Sequence, residues 1–267
     1  MEHYERPALI EAIIEALRQE GKDPLAIQAT DLAPVDQLHI GGKRESLELL
    51  QLSGIAPGTR VLDVGCGLGG PARMLAENGC EVLALDFTRS FALACHELSS
   101  MAGLGGSIRT IRADGTRLPT GSDRFDAVWI EHVNMNISDK RALLSEMLRV
   151  VRAGGVLAFH EIFQGPGGDV LYPMPWSPDA ASSHLVRPEN FRALLEACGW
   201  EITEWKDRAE ESLAWLSEVR QRAQESGPRP MGPQIVLGPQ TREILANVAA
   251  ALAEQRIQVV MGVARKP

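Results

Sequence analysis

Cysteine is scarce in this chain, and basic clusters and long apolar runs are missing. The four cysteines, Cys66, Cys80, Cys95 and Cys198, form no CxxC pair. This argues against a thiolate zinc site, and a chain of this size needs no disulfide framework. Lys plus Arg number 27 against 35 Asp plus Glu, which gives a net charge of −8. Without a compensating basic run, that balance disfavours nucleic acids and anionic membranes as partners.

The chain also lacks the features of a membrane or secreted protein. No run approaches the ~20 apolar residues that a membrane-spanning helix needs. The stretch over 1–17 is acidic and amphipathic, whereas a signal peptide has a basic region followed by an apolar block. Apolar residues make up 45% of the chain and charged residues 23%, an ordinary globular balance. We therefore expect a cytoplasmic globular protein.

Short apolar runs alternate with helical segments through most of the chain. Strands are predicted at 60–64, 81–85, 107–113, 126–130, 155–160, 201–206 and 256–263. Helices are predicted at 70–78, 89–103, 139–152, 188–198, 208–225 and 240–254. Strands that are nearly continuous in Val, Ile and Leu and alternate with helices are typical of a doubly wound α/β sheet.

Other segments fall outside this alternation. Helical spacing over 7–20 and again up to residue 52 predicts helices ahead of the first strand. The Gly/Pro-rich stretch at 164–178 is too long for a simple connection, which is typical of a lid or a binding loop. A Pro/Gly linker is predicted at 227–233. The charged run at 207–212 has the composition of a solvated helix start.

The most informative motif is ValLeuAspValGlyCysGlyLeuGlyGly at 61–70, between a predicted strand and a predicted helix. Gly65, Gly67 and Gly70 fit GxGxxG, in which glycine lets the backbone approach a ligand at a helix N-terminus. Asp86 ends the next strand, where a carboxylate can accept from both hydroxyls of a ribose. These features predict a nucleoside-containing cofactor, and alone they fit a nicotinamide as readily as any other.

Two further acids distinguish between cofactors. Asp63 lies two residues before the first glycine, where a carboxylate would face a pyrophosphate unfavourably but suits a ligand with an ammonium group. Asp114 ends the third predicted strand, within AlaAspGlyThrArgLeuPro (113–119). A carboxylate or neighbouring amide there can bind the exocyclic amine of adenine. A hydride-transfer fold requires neither feature, so a nicotinamide is the less favoured cofactor.

With PheAspAlaValTrp at 125–129, these motifs resemble class I S-adenosylmethionine-dependent methyltransferases over roughly residues 37–163. Within that class, the segments at 36–42, 65–73 and 129–137 resemble the small-molecule branch. That branch contains sarcosine/dimethylglycine N-methyltransferases and quinone- or tocopherol-type methyltransferases. The resemblance implies a Rossmann-like seven-stranded sheet with its last strand antiparallel.

The resemblance also implies how the chain is divided. A helical lid over the cofactor is expected in 1–53 and the methyltransferase domain in 54–267. Within that domain, 161–187 and 207–239 are expected to form substrate-side cap segments. S-adenosylmethionine is the implied cofactor, the acceptor is a small molecule, and no metal is expected. The oligomeric state, monomer or homodimer, stays open.

Site residues follow from matching positions. The implied cofactor contacts are Gln37, His39, Gly41, Asp63, Gly65, Cys66, Gly67, Asp86, Phe87, Asp114, Gly115 and Glu131. The candidate catalytic residues are His132 and His160, at the carboxyl ends of strands four and five, where α/β sheets bind ligands. Glu131 and Glu161 lie at the same ends, and all four side chains could instead be structural. The implied acceptor contacts in the insertion are Tyr172, Met174, Trp176 and His184.

The sequence leaves the reaction open between three alternatives. Methyl transfer requires an aligned donor and acceptor without water, and a base only where the nucleophile arrives protonated. An amino-acid-like amine is one acceptor, because aromatic insertion residues can stabilise a developing ammonium by cation–π attraction. Carbon or oxygen of a natural product or quinone-like ring is the second. The third alternative is a cofactor-binding module without catalytic activity.

Overall fold

The computed structural model describes residues 4–227 and 229–267. Residues 1–3 of the predicted lid and Pro228 of the predicted linker lie outside the described residues. The strands are β1 Arg60–Val64, β2 Glu81–Asp86, β3 Ile108–Arg112, β4 Phe125–Glu131, β5 Val151–Gln164, β6 Glu201–Asp207 and β7 Ile257–Arg265. The α-helices are α1 Leu9–Gln19, α2 Ala33–Asp36, α3 Lys43–Ser53, α4 Gly70–Glu77, α5 Arg89–Met101, α6 Lys140–Val150, α7 Pro188–Ala197, α8 Ala209–Ser226, α9 Gln234–Leu237 and α10 Thr241–Ala253.

The strands form one seven-stranded sheet in the order β3-β2-β1-β4-β5-β7-β6. Strands β1 to β5 pair in parallel, and β7 is antiparallel to both β5 and β6. The predicted Rossmann-like sheet with an antiparallel last strand is therefore confirmed. The strand order reverses between β1 and β4, and open α/β sheets bind ligands beyond the carboxyl ends of such strands.

Helices cover both faces of the sheet. On one face, Val61 and Trp129 pack with Leu49 of α3 and Leu75 of α4. On the other face, neighbouring strand residues pack with α6 and α7. Because alternate strand residues point to opposite faces and both faces are covered, the strands are almost continuously apolar, as their sequences predicted.

Strand β5 is much longer than expected. The predicted strand at 155–160 extends to Val151–Gln164, because pairing with β7 continues from Val156 opposite Arg265 to Gln164 opposite Ile257. The first four residues of the predicted cap segment 161–187 therefore belong to the sheet. This partner lies about a hundred residues later in the chain, so the local pattern contained no sign of the extension.

The charged run at 207–212 is not simply a solvated helix start. Arg208 is only 5% exposed, and its guanidinium donates to both carboxylate oxygens of Glu45 at 2.7 and 2.9 Å. It also donates to Glu48 at 3.0 Å. The prediction was wrong for Arg208, because α3 supplies partner carboxylates that are remote in sequence. This ion-pair cluster fixes the start of α8 against α3.

The residues ahead of β1 pack on the sheet domain rather than apart from it. Leu9, Ile13 and Leu17 of α1 bury their side chains against Phe91 and Leu98 of α5. None of the helices in 4–227 and 229–267 combines the length and apolar character needed to cross a bilayer.

Candidate active site

A cavity of about 190 Å³ opens beyond the carboxyl ends of β1, β2, β3 and β4, at the reversal of strand order. The predicted site residues in its wall are Gly65, Gly67, Asp86, Phe87, Asp114, Gly115 and His132. The cavity lining does not include Gln37, His39, Gly41, Asp63, Cys66, Glu131 or His160. Loops from four different strands thus bring the first group together, and the second group lies behind or beside them.

The glycine loop after β1 forms one wall of this cavity. Gly65 has φ 78° and Gly67 φ 53°, a left-handed conformation that glycine adopts without steric cost. The backbone N–H groups of Gly65 and Cys66 donate to the carbonyl of Leu85 at 2.7 and 2.9 Å. A Cβ at Gly65 would lie 2.3 Å from a methyl carbon of Val133. The loop is therefore held against both β2 and the turn after β4.

Asp86 stands at the end of β2 with its carboxylate anchored by backbone amides. Its two oxygens accept from the N–H of Gly67 at 3.0 Å and from the N–H of Thr88 at 2.7 Å. Burial raises the pKa of this carboxyl to about 6. Each oxygen keeps a further lone pair, so the ionised carboxylate can accept from two neighbouring hydroxyl groups of a ribose.

Cofactor affinity should depend on pH through Asp86. Ribose hydroxyls bind the ionised carboxylate more strongly than the acid. The affinity should therefore be highest at pH values above the pKa of about 6 and should fall at lower pH. One unit below that pKa roughly a tenth of the carboxyl is ionised, which lowers affinity about tenfold. Titration calorimetry with S-adenosylhomocysteine between pH 7.5 and pH 5 measures this. In Asp86→Asn the dependence should disappear, and an unchanged dependence would assign it to another group.

Asp63 and Asp114 differ in how their carboxylates are satisfied. Asp63, at 2% exposed, has one carboxylate oxygen without any hydrogen-bond partner. Burial raises its pKa well above the usual range, so a nearby cation would stabilise its ionised form. The Asp114 carboxylate accepts from the N–H and hydroxyl of Thr116 at 2.8 and 2.7 Å, which holds its turn. The orphaned Asp63 oxygen fits a ligand with a positive charge.

Three further predicted residues belong to the segment around the start of α3. Gln37 lies against the glycine loop, since a Cβ at Gly70 would be 2.6 Å from its side-chain nitrogen. Gly41 has φ 87° and leaves room for Glu45, whose Cγ would be 1.9 Å from a Cβ there. The His39 ring is hydrogen-bonded to the Ser46 hydroxyl at 3.0 Å. These three residues therefore lie outside the cavity lining and support the elements next to it.

His132 sits in a strained turn directly after β4. Its φ is 53°, a conformation that residues other than glycine rarely adopt. Its backbone N–H donates to the carbonyl of His160 at 2.9 Å. The Glu161 carboxylate accepts from the next two backbone N–H groups, of Val133 at 3.1 Å and Asn134 at 3.0 Å. The turn that aims His132 at the cavity is therefore held by β5.

Two of three neighbouring histidines are held neutral by burial. The ring centroids of His39, His132 and His160 lie 5.1 to 6.1 Å apart. Burial lowers the pKa of His132 and of His160 well below the usual range, and the nearby imidazoles add to this. Nε2 of His132 and both ring nitrogens of His160 have no hydrogen-bond partner. A neutral imidazole with a free nitrogen can accept a proton.

Carboxylates and a hydroxyl surround these histidines. The Ser46 hydroxyl lies 2.9 and 3.1 Å from the two carboxylate oxygens of Glu131. A Glu45 oxygen lies 3.9 Å from Nε2 of His160. Across the described part of the chain, no three His, Cys, Asp or Glu side chains are arranged to hold a metal ion. Sequence reasoning missed Ser46, Glu45 and Arg208, because they come from α3 and the start of α8 and belong to no local motif.

Glu161→Ala should disturb the His132 turn. The change leaves the N–H groups of Val133 and Asn134 without their acceptor, at about 1–3 kcal/mol of folding free energy for each buried group. Turnover should fall as His132 loses its orientation. Glu161→Gln keeps one acceptor oxygen and should retain most of the folding free energy and most of the turnover. Urea unfolding and kcat measure these effects, and equal losses in both variants would show that the charge matters more than the acceptor.

None of the four predicted acceptor residues lines the cofactor cavity. Trp176 and Met174 are buried against Ile40, Met135 and Ile162, and the Trp176 indole N–H donates to Ser183 at 3.0 Å. Tyr172 packs partly buried on the same cluster. The backbone N–H of His184 donates to the carbonyl of Met135 at 2.8 Å, and the carbonyl of His184 accepts from the Lys140 ammonium at 2.6 Å. Met174 lines a second cavity of about 80 Å³. Tyr4 lines both cavities.

The sheet order, the glycine loop and the Asp86 carboxylate at the end of β2 are features of an α/β enzyme that binds a nucleoside-containing cofactor. A family model described as "Methyltransferase domain" matches residues 62–159. The chain is 30% identical over 186 residues to methyltransferase GfsG of Streptomyces halstedii, covering 68% of this chain and 67% of that one. It is 32% identical to a demethylmenaquinone methyltransferase of Renibacterium salmoninarum, covering 74% of this chain and 83% of that one.

A solved structure shares the fold across almost the whole chain. It is that of geranyl diphosphate C-methyltransferase from Streptomyces coelicolor, in a complex that contains S-adenosyl-L-homocysteine. Its TM-score is 0.69 at 16% identity, over 99% of this chain and 95% of that one. The present chain belongs to the class I S-adenosylmethionine-dependent methyltransferases. It is an enzyme, S-adenosylmethionine is its cofactor, and the silent-module alternative is set aside.

Proposed function

We propose that this methyltransferase methylates a small, mainly apolar acceptor at a hydroxyl oxygen, or at a ring carbon activated by such a hydroxyl. In this proposal His132 accepts the proton that the hydroxyl loses. The observation that carries it is His132 in the wall of the cofactor cavity, with a buried Nε2 that has no hydrogen-bond partner and a pKa that burial lowers. A protonated nucleophile needs such a base within hydrogen-bond reach.

The charge balance of the site supports this role. S-adenosylmethionine supplies an activated methyl group on a positively charged sulfur. His132 would take up the acceptor's proton as the methyl group is transferred, so a positive charge would appear on the imidazole while the positive charge of the donor is lost. The Glu131 carboxylate lies 3.9 Å from Nδ1 of His39, whose ring centroid is 5.9 Å from that of His132, so it adds a negative charge to the histidine cluster that takes up the proton. The net charge in the buried site does not change during the step, which limits its electrostatic cost.

The relatives support a ring-bearing acceptor over an amino acid, since two of those that the chain resembles are named for demethylmenaquinone. The amine acceptor predicted from the sequence thus has weaker support, since Trp176 packs in the core rather than over the cavity.

An acceptor panel tests the proposal. The protein is incubated with S-adenosylmethionine carrying a labelled methyl group and with quinols, phenols, sarcosine or dimethylglycine, and products are identified by mass spectrometry. We expect label on oxygen or carbon of the hydroxylated compounds, with a rate that falls at low pH as His132 becomes protonated. Transfer to the amines without transfer to the hydroxylated compounds would overturn it.

The division of the chain is part of the same proposal. We propose that 1–53 forms the cofactor lid, because α1 packs on α5 and Tyr4 lies in the cavity wall. The segments 161–187 and 207–239 are proposed as the acceptor side, since Met174 and Val236 line the second cavity. A cytoplasmic location, the lack of nucleic-acid and membrane partners, and a monomeric or dimeric state stay predictions.

A further inference from the structure

A buried arginine joins the glycine loop to the segment ahead of β1. We propose that Arg73, held by Asp36, positions the glycine loop for S-adenosylmethionine, so that cofactor affinity depends on a carboxylate outside the cavity. Arg73 is a positioning residue in this proposal, since neither it nor Asp36 lines the cavity. The proposal rests on the placement of the cofactor against the glycine loop, and it holds for any acceptor.

The Arg73 guanidinium contacts three separate segments. Its Nη2 donates to the carboxylate of Asp36, the last residue of α2, and to the carbonyl of Leu68 in the glycine loop, the latter at 2.8 Å. Its Nη1 donates to the Ser99 hydroxyl on α5 at 3.1 Å. The side chains of Arg73 and Asp36 are each only 1% exposed, so the pair is removed from water. One nitrogen, Nη2, therefore holds α2 and the glycine loop together.

Apolar and backbone contacts hold the loop to the same segment. The Leu68 side chain is buried in one cluster with Leu32 and Val35, which precede Asp36 in the chain. The carbonyl oxygen of Asp36 would lie 2.5 Å from a Cβ at Gly70, the first residue of α4. The side chain and the carbonyl of Leu68 are thus both held from the segment ahead of β1, and the loop takes its position from that segment.

The contact with Leu68 lies next to residues that line the cavity. Gly67, directly before Leu68, lines the cavity and donates its N–H to the Asp86 carboxylate at 3.0 Å. Gly69, directly after Leu68, has φ 87°, and a Cβ there would lie 2.9 Å from Nη1 of Arg73. Release of the Leu68 carbonyl should therefore shift the Gly67 N–H and, through it, the Asp86 carboxylate.

The charged pair suits a positioning role better than a stabilising one. Burial raises the pKa of Asp36, and the positive charge of Arg73 opposes that rise. The desolvation of two charges offsets much of their mutual attraction, and apolar side chains of similar volume often give equal or greater stability. Such side chains form no hydrogen bonds, so they cannot hold the Leu68 carbonyl. Mutation can therefore separate stability from the position of the loop.

Titration calorimetry on the full chain with S-adenosylhomocysteine tests the proposal. Arg73→Met removes the donors at similar volume, and Asp36→Asn keeps an acceptor oxygen without the charge. We expect the affinity to fall about tenfold in Arg73→Met, within the usual range of coupling between sites, and less in Asp36→Asn. In the double variant Asp36→Leu/Arg73→Met an apolar pair replaces the ion pair. Its urea midpoint should return towards that of the parent protein, while its affinity stays low.

Arg149→Met is the matched control. The Arg149 guanidinium also donates to a carboxylate, of Glu146, and to loop carbonyls, of Leu118 and Thr120. None of these residues lines the cavity. Arg149→Met should therefore lower the urea midpoint and leave the affinity for S-adenosylhomocysteine unchanged.

Two results would overturn the proposal. One is an unchanged affinity in Arg73→Met. The other is an affinity that recovers together with the urea midpoint in the double variant, because the pair would then be purely structural. Asp86→Ala identifies a misplaced cofactor: loss of affinity in Asp86→Ala alone rejects only the role of Arg73, whereas no loss in either variant also rejects the placement at the glycine loop. If Arg73→Met does not fold, Asp36→Asn and the double variant decide by the same criteria.

Discussion

Replacement of Asp86 by alanine should weaken cofactor affinity more than about a hundredfold. The ionised carboxylate is expected to accept from two ribose hydroxyls, and hydrogen bonds to a charged group contribute ~1.5–3 kcal/mol each. Removal of the side chain also frees the N–H groups of Gly67 and Thr88 that it holds at 3.0 and 2.7 Å. Titration calorimetry with S-adenosylmethionine and S-adenosylhomocysteine measures the dissociation constants.

Asp86→Asn separates the ribose contact from the support of the glycine loop. Asparagine keeps one acceptor oxygen for the backbone N–H groups but carries no charge, so its affinity should lie between those of the parent and of Asp86→Ala. Circular dichroism should show that all three proteins remain folded. A dissociation constant unchanged in both variants would mean that the ribose lies elsewhere in the cavity.

Loss of the His132 imidazole should reduce turnover by about 10²–10⁴-fold, the range for removal of a general base. Cofactor affinity should change little, because the glycine loop and Asp86 are untouched. The choice of substitution matters, since His132 has φ 53°. Alanine is strained in this conformation, whereas asparagine tolerates it. His132→Asn therefore removes the base without adding backbone strain, and single-turnover methyl transfer is the measurement.

His96→Ala is the matched control, because His96 lies exposed on α5. It should leave both turnover and affinity unchanged. Added imidazole should restore part of the activity of His132→Ala, since the substitution leaves space beside the cavity. If His132→Asn turns over at the parent rate on the acceptor that the panel identifies, His132 is structural and the proposed base is wrong.

Local pattern was sufficient for the parts of this protein that depend on neighbouring residues. A glycine loop needs its glycines within a few positions, and Gly65 and Gly67 both adopt the left-handed conformation there. Asp86 could be placed because it ends a strand that begins after a predictable helix. The strand pattern identified the sheet, since burial of both faces makes each strand apolar. These signals lie within about twenty residues of one another.

Long-range pairing decided the remainder. The extension of β5 depends on β7, and the burial of Arg208 depends on Glu45. No local pattern predicts either, because each partner is more than ninety residues away in the chain. Burial of the histidines next to Ser46 and Glu131 is likewise a product of packing between α3 and the sheet.

The sequence by itself determined the fold class and the cofactor. Both follow from residue spacing, because strands, turns and phosphate- or ribose-type contacts are built from short segments. The tertiary structure alone decided which histidine faces the cavity, that it is neutral, and that Trp176 packs in the core. Those properties depend on desolvation, and desolvation is set by which remote side chains cover a residue.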